Sequence, residues 1–539
     1  MKNHRLSRTG LAVLTVGLLG CEGGIKTVGD DTDTTSGDTG DDTDTTSEDT
    51  GDDTDTTSGD ADSDTDTDTD ADTDADTDAD TDGDADTDTD TGGVDDGGAD
   101  GGDGNDELLW TADIWLQDMQ GRTVILRGVN FSGDAKYTPD FLPAASDADI
   151  QNMVAWGFNT VRFLVFWEAI EPEEGKFNDQ YISGVVEWVD RLAAAGLWVV
   201  LDMHQDLFGR GFWGDGAPRW ACLEEYYATY VPKEPWALNY FAKEVMACYD
   251  RFFAMPELRD HYIESFARLA EAVKDRPAVI GFDLYNEPSW GSAALAHFDQ
   301  QHLAPFYEDI ITRLRGISPR KLMFVEPNSM RNSGKATALP NFAVDGLVYA
   351  PHYYGTGVEA THVYEIDVDN VFNAFESMIE DTLRLKMPLW LGEFGVPRDT
   401  VLGKTFLGDQ YEALDGWFAS GMYWSYGRDD EKSHSLLDDD GSLTWLVAGV
   451  DRPYARAIPG APLVTNFNQT LGMFTVSFTE NGSSGPCEMY IPARHFPAGS
   501  TITVDGMPAA PKTVSWKGRV ASVTVPSGPP THIIEVWRK

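Results

Sequence analysis

Positive charge is scarce in this chain. Its 539 residues include 39 lysines and arginines against 91 aspartates and glutamates, a formal charge of −52. No basic stripe exists to neutralise phosphates, so nothing points to nucleic acid as a partner. Histidine is sparse, at ten, and cysteine sparser, at four, with no C-x-x-C pair and no histidine cluster. Neither a metal centre nor a cofactor is therefore expected. Long apolar runs are missing too. Leu11 to Leu19 is too short to span a bilayer. No Gly-rich phosphate turn follows the first strand, which argues against an open dinucleotide-binding sheet.

The acidity is unevenly placed. Between Glu22 and Asp106 stand 34 acidic residues and a single lysine, Lys26. Thr65 to Asp90 is almost strict alternation of Asp with Thr or Ala. Such a segment has no apolar side chain larger than alanine to offset its ordering entropy, and its charges repel. An extended, disordered tether is expected. The glycine and closing glutamate of a calcium loop are missing from the Asp repeats.

Ahead of it, Lys2, Arg5 and Arg8 precede the short apolar run, as in an export signal. Leu18-Leu19-Gly20-Cys21 resembles a bacterial lipobox, which implies lipidation of Cys21 and an anchor in the cell envelope. An ordinary secretory signal is the alternative. Of the other cysteines, Cys222 and Cys248 lie in one inserted region and are expected to pair in an oxidising compartment, leaving Cys487 over.

Order is expected from about Leu108. A hairpin turns around Asp118 to Gly121, and helical and strand-like segments then alternate. The strands, counted from Val124, include Gly157 to Trp167, Trp198 to His204, Val279 to Tyr285, Leu322 to Glu326, Leu347 to His352, Pro388 to Glu393 and Gly421 to Tyr426. Eight such units imply an α/β protein, a closed (β/α)8 TIM barrel. From Ala461 the period shortens to strands between Gly, Pro and Asn turns, a C-terminal all-β sandwich. The expected organisation is a leader at 1–21, the tether at 22–106, the catalytic barrel at 107–460 and the sandwich at 461–539.

Two strands end in glutamate. Gly281-Phe-Asp-Leu-Tyr-Asn-Glu-Pro288 brings Glu287, and Leu391-Gly-Glu393-Phe-Gly395 brings Glu393. In such a barrel, catalytic groups sit at the C-terminal ends of the strands. Two carboxylates facing each other across a pocket suit glycosidic bond cleavage.

Taken in order, Val161-Arg162, His204, Asn286-Glu287-Pro288, His352-Tyr353-Tyr354, Glu393 and Trp424 resemble glycoside hydrolase family 5, the cellulase-type clan. The resemblance implies a retaining mechanism, with Glu287 as acid/base and Glu393 as nucleophile. It implies that Arg162 and Tyr354 hold the nucleophile's charge, that Asn286 binds the sugar 2-hydroxyl, and that Trp424 offers a flat face to the sugar. His204 and His352 read as pocket hydrogen-bonding groups rather than metal ligands. Asp202-Met-His-Gln-Asp206, with Gly214-Asp-Gly-Ala-Pro-Arg-Trp220, is similar to the endoglycoceramidase branch. That likeness implies that Asp206 and Lys136 bind glucose and that the bond cut joins glycan to ceramide. Cys222 to Asp260 departs from the pattern as an aromatic-rich insertion, expected to form a helical lid, with an apolar, lipid-accepting rim as the alternative. The expected partners are a glycolipid or oligosaccharide and, through the lipid anchor, a membrane; the enzyme is expected to act as a monomer. Alternative activities are an endo-β-glucanase or mannanase, a steryl or ceramide β-glucosidase, and a non-enzymatic carbohydrate-binding surface protein.

Overall fold

A strand buried on both faces of a parallel sheet has no reason to alternate apolar with polar residues. Thr160–Val165, TVRFLV, is such a run, and all six of its residues are buried. The computed structural model describes residues 109–131, 134–234, 236–429 and 433–539. The leader, Cys21 and the acidic tether, all expectations from the sequence, lie outside the described residues. Among the described residues, no helix is long and apolar enough to cross a membrane.

The central sheet has eight parallel strands: β1 Arg127–Phe131, β2 Thr160–Val165, β3 Trp198–Met203, β4 Val279–Asp283, β5 Leu322–Val325, β6 Leu347–Tyr349, β7 Trp390–Phe394 and β8 Ser420–Tyr426. Pairing runs continuously from β7 through β8 and β1 to β6. Parallel bridges Tyr349–Leu389 and Tyr353–Phe394 draw β6 against β7 and close the ring. This is the TIM barrel that the alternating sequence pattern implies.

The outer helices bury one stripe each. Asp179–Ala194 turns Tyr181, Ile182, Val185, Trp188, Val189 and Leu192 inward, the i, i+3, i+4, i+7 spacing of an amphipathic helix. Asn178 starts it by accepting the Tyr181 backbone N–H at 3.1 Å. Removing such a cap costs about 1 kcal/mol.

The first barrel strand differs from the expectation. Val124 belongs to Thr123–Val124, which pairs antiparallel with Tyr454–Ile458 in a seven-stranded sheet. The N-terminal hairpin therefore completes the C-terminal sheet, and the barrel begins three residues later at Arg127. That sheet also takes in Cys487–Tyr490 and Val520–Val523, and the first of its C-terminal strands, Tyr454–Ile458, precedes Ala461. A second, five-stranded antiparallel sheet contains Met473–Thr479 and Thr531–Arg538. Phe474, Val476, Phe478, Ile534 and Val536 turn inward from it and are fully buried with Met489 and Val523. Each such side chain contributes roughly 1.5–3 kcal/mol.

Candidate active site

Arg162, on β2, lies under the C-terminal mouth of the barrel and is fully buried. One guanidinium arm, Nη1, donates to Glu393 Oε1 and to Asn130 Oδ1, both at 2.9 Å. The other, Nη2, donates to Asn286 Oδ1 at 2.8 Å and Glu326 Oε1 at 3.0 Å, and lies 2.9 Å from Asp202 Oδ1. Nε donates to Asp283 Oδ2 at 2.8 Å. A buried guanidinium is tolerable only when paired, and this fork has a partner at every nitrogen.

Glu393, from β7, is held at both oxygens. Arg162 takes Oε1, and the Tyr354 hydroxyl donates to Oε2 at 2.8 Å. Burial and the Glu393 charge push the Tyr354 phenol well above its usual range, so it remains a donor. Gly392 clears room beside Glu393. A Cβ there would stand 2.7 Å from His352 Nε2.

Glu287 follows β4 in the left-handed region, at φ +44°. Its Oε1 accepts from Asn332 Nδ2 at 2.8 Å and faces His352 Nδ1 at 2.9 Å. Burial pushes this carboxyl up to about 8; the His352 contact opposes the shift, and Glu393 and Asp206 add to it. One carboxylate oxygen of Glu287, one of Glu393 and a ring nitrogen of His352 all lie within 4.8 Å of one another. Oxygens that close agree with the short carboxyl separation of retaining glycosidases, about 5–5.5 Å, rather than the ~6.5–9.5 Å of inverting ones.

A second group of polar side chains adjoins the first through Asp202. Its Oδ2 lies 2.7 Å from His204 Nδ1. His204 stacks on Trp424, with ring centroids 5.7 Å apart and planes 14° apart. Burial, then the Lys136 charge, holds His204 well below its usual range, so the ring is neutral. With Nδ1 on Asp202, its Nε2 is left as a buried acceptor without a hydrogen bond. Lys136 pairs with Asp206, lies 3.4 Å from Asp215 Oδ2, and sits 4.9 Å from the Trp424 ring centroid. Burial would raise the Asp206 carboxyl, but the Lys136 charge beside it holds it below the usual range. Gly214 permits the hairpin-like return that brings Asp215 back to Asp206, since a Cβ there would overlap the Asp206 carbonyl.

The structure thus gathers all ten residues singled out at this site: Lys136, Arg162, His204, Asp206, Asn286, Glu287, His352, Tyr354, Glu393 and Trp424. Asn286 is more committed than expected. Its Oδ1 accepts from Arg162 and its Nδ2 donates to the Gln205 carbonyl, which leaves one amide hydrogen for a ligand. Sequence reasoning assigned nothing to Asp283, Glu326, Asn332 or Asp215. Glu326 carries a usable signal, as a lone acid closing an apolar strand; Asp283 lies inside the run Val279 to Tyr285. Asn332 carried none.

Among the described residues, two of the three acid and histidine clusters with metal-ligand spacing already enclose a protein cation. Lys136 contacts Asp206 and Asp215 beside His204, and Arg162 contacts Asp202, Asp283 and Glu326.

The insertion forms helices Glu224–Thr229 and Lys243–Ala254, with a 3-10 turn at Trp236–Phe241. A Cys222–Cys248 disulfide spans it, with a Cα–Cα distance of 5.5 Å, and Cys487 is a buried free thiol. Tyr240, Tyr249 and Phe252 are buried rather than exposed on a rim. Tyr240 donates to Asp206 Oδ1 at 3.2 Å, Tyr249 to Gln205 Oε1 at 2.6 Å, and Phe252 stacks on Tyr285. This is a packed cap that fixes the loop carrying Asp206.

Comparison with known proteins gives the same assignment. Residues 117–430 match the family model described as cellulase (glycosyl hydrolase family 5). Residues 452–536 match the glycoside hydrolase family 5 C-terminal domain. The chain is 29% identical over 416 residues to endoglycoceramidase I of Rhodococcus hoagii, covering 72% of this chain and 81% of the relative. It superposes on endo-glycoceramidase II from a Rhodococcus species in complex with ganglioside GM3 with a TM-score of 0.73, at 26% identity, covering 79% of this chain and 100% of that one. The lactosyl-enzyme intermediate of the same enzyme gives a TM-score of 0.70 at 27% identity, covering 79% and 99%. With the family model spanning more than half its length and the paired glutamates in place, the chain belongs to glycoside hydrolase family 5 and is a glycosidase.

Proposed function

We propose that the enzyme is a retaining endoglycoceramidase, which cuts the β-glycosidic bond between the glycan and the ceramide of glycosphingolipids. The observation that carries the mechanism is the pair of glutamates a few ångströms apart with opposite surroundings. Glu393 is held by a guanidinium and a phenol and serves as the nucleophile; Glu287 is buried and protonated near neutral pH and serves as the acid.

In the first step a Glu393 oxygen attacks the anomeric carbon, and Glu287 gives its proton to the departing glycosidic oxygen. The bond to the aglycone breaks as the glycosyl-ester bond forms. In the second step Glu287, now a carboxylate, takes a proton from water. The water oxygen attacks the anomeric carbon and the ester bond to Glu393 breaks, which restores both groups. Arg162 and Tyr354 stabilise the Glu393 carboxylate when it is released. Lys136, Asp206, His204 and the remaining Asn286 amide hydrogen hold the sugar, with Trp424 against its face.

Support for the substrate comes from the endoglycoceramidase relatives and from the Lys136–Asp206 pair set beside Trp424. Export with a lipid on Cys21 would place the enzyme in the cell envelope as a tethered monomer. The test is a product assay on glycosphingolipids, glucosylceramide, steryl glucoside, carboxymethylcellulose and mannan. Free ceramide together with intact oligosaccharide is the expected result. Cleavage of the polysaccharides alone would sink the proposal.

A further inference from the structure

Glu326 follows β5 and lies behind both glutamates, buried to within 1% of full enclosure. Its Oε2 accepts the backbone N–H of Glu287 at 2.7 Å. Its Oε1 accepts from Arg162 Nη2 at 3.0 Å, and the other arm of that guanidinium holds Glu393 at 2.9 Å. The same Oε1 lies 3.2 Å from His352 Nε2, whose Nδ1 faces the Glu287 carboxyl. That N–O approach is bent away from good hydrogen-bond geometry, so it is the weakest of the three contacts. Tyr307 pins the other end of the residue by donating its hydroxyl to the Glu326 carbonyl at 2.8 Å.

Charge balance alone does not account for Glu326. Asp202, Asp283 and Glu393 already surround Arg162. Among the described residues, Glu326 is the acid on Arg162 that also binds the Glu287 backbone. Glu287 stands at φ +44°, where a side chain is strained, and such a conformation persists only when its surroundings over-determine it. An N–H bound by a buried carboxyl is a constraint of that kind.

We propose that Glu326 is a positioning residue. Its carboxyl fixes the backbone from which Glu287 projects and links it through Arg162 to Glu393, so that acid and nucleophile keep one separation. Glu326 acts through Glu287 and does not itself touch the reacting atoms. The inference rests on the acid/base reading of Glu287.

Leaving groups separate this role from a merely structural one. An alkyl β-glycoside needs its departing oxygen protonated, whereas a dinitrophenyl β-glycoside of the same glycan does not. Both substrates are assayed with Glu326→Gln, which keeps the shape of the side chain but replaces one acceptor with a donor, and with Glu326→Leu. Glu287→Gln is the reference. The expected result is that each Glu326 variant loses kcat/KM on the alkyl glycoside at least about tenfold more than on the dinitrophenyl one, in the same direction as Glu287→Gln. An equal loss on both substrates, or no loss in Glu326→Gln, overturns the proposal. Glu287→Gln without leaving-group dependence removes the acid/base reading, and this inference with it. Should Glu326→Leu fail to fold, the isosteric Gln variant still decides.

Discussion

His352 places Nδ1 2.9 Å from Glu287 Oε1, inside a site where burial has already pushed that carboxyl up to about 8. A hydrogen bond from the imidazole favours the charged form of Glu287, so it opposes the effect of burial. The acid must carry its proton to work. Wild-type kcat/KM should therefore fall as pH rises through about 8. His352→Ala should move that basic limb to higher pH while lowering the rate throughout. A pH–rate profile checks both, and a limb that stays in place would count against the pairing.

Removing the nucleophile should be more drastic than removing the acid. Glu393→Gly is expected to lose hydrolysis by on the order of 10⁴-fold or more. With the side chain gone, the cavity beside Arg162 and Tyr354 can admit a small anion. Glycosyl fluorides of inverted configuration should then be consumed, or an external nucleophile such as azide should restore turnover. Product analysis by mass spectrometry and NMR reads the configuration of what forms.

Arg162 is as much a matter of stability as of catalysis. Arg162→Met strands Asp202, Asp283, Glu326 and Glu393 in a buried volume without their common cation. Breaking a buried ion pair at one partner costs about 3–5 kcal/mol. Thermal unfolding should show a large drop in Tm, and activity should be absent even in the soluble fraction. A melting point near that of the wild type would mean that these acids accommodate the loss by taking up protons.

Cys222 and Cys248 enclose a loop with a sequence separation of 26. On chain-entropy grounds, closing such a loop is worth about 3 kcal/mol. The double replacement Cys222→Ala, Cys248→Ala should lower Tm by several degrees. It should also raise KM more than it lowers kcat, because the cap orients Asp206 through Tyr240 rather than the two glutamates. Steady-state kinetics on the double variant tests that split.

Much of this site could be read from the sequence because barrel chemistry is positional. An acid that ends an apolar strand lands at the mouth, so Glu287 and Glu393 were visible once the eight strands were counted. The same rule, applied to Val325-Glu326, points to the acid beneath them, although a strand-end acid without a family motif reads equally well as a turn residue. Asp283 lies inside its apolar run, and only the fold shows that it meets Arg162. Asn332 could not be found, since it reaches Glu287 only after the loop following β5 folds back. Val124 pairs in a different sheet from the one its pattern implies, for a simple reason: Val124-Ile-Leu126 is apolar and runs straight into β1, and nothing in its pattern says that the pairing partner changes at Arg127.

That change of partner makes the sandwich hard to remove. Thr123–Val124 is held on one side by Tyr454–Ile458, just before the chain enters β1. A truncation ending at residue 460 would keep this pairing but strip Cys487–Tyr490 from the far side of Tyr454–Ile458, leaving an open strand edge. A cut before Tyr454 would instead free the hairpin that leads into the barrel. Neither cut yields a clean catalytic module, so shortened versions for expression or fusion should aggregate unless the hairpin is trimmed together with the C-terminal strands it joins.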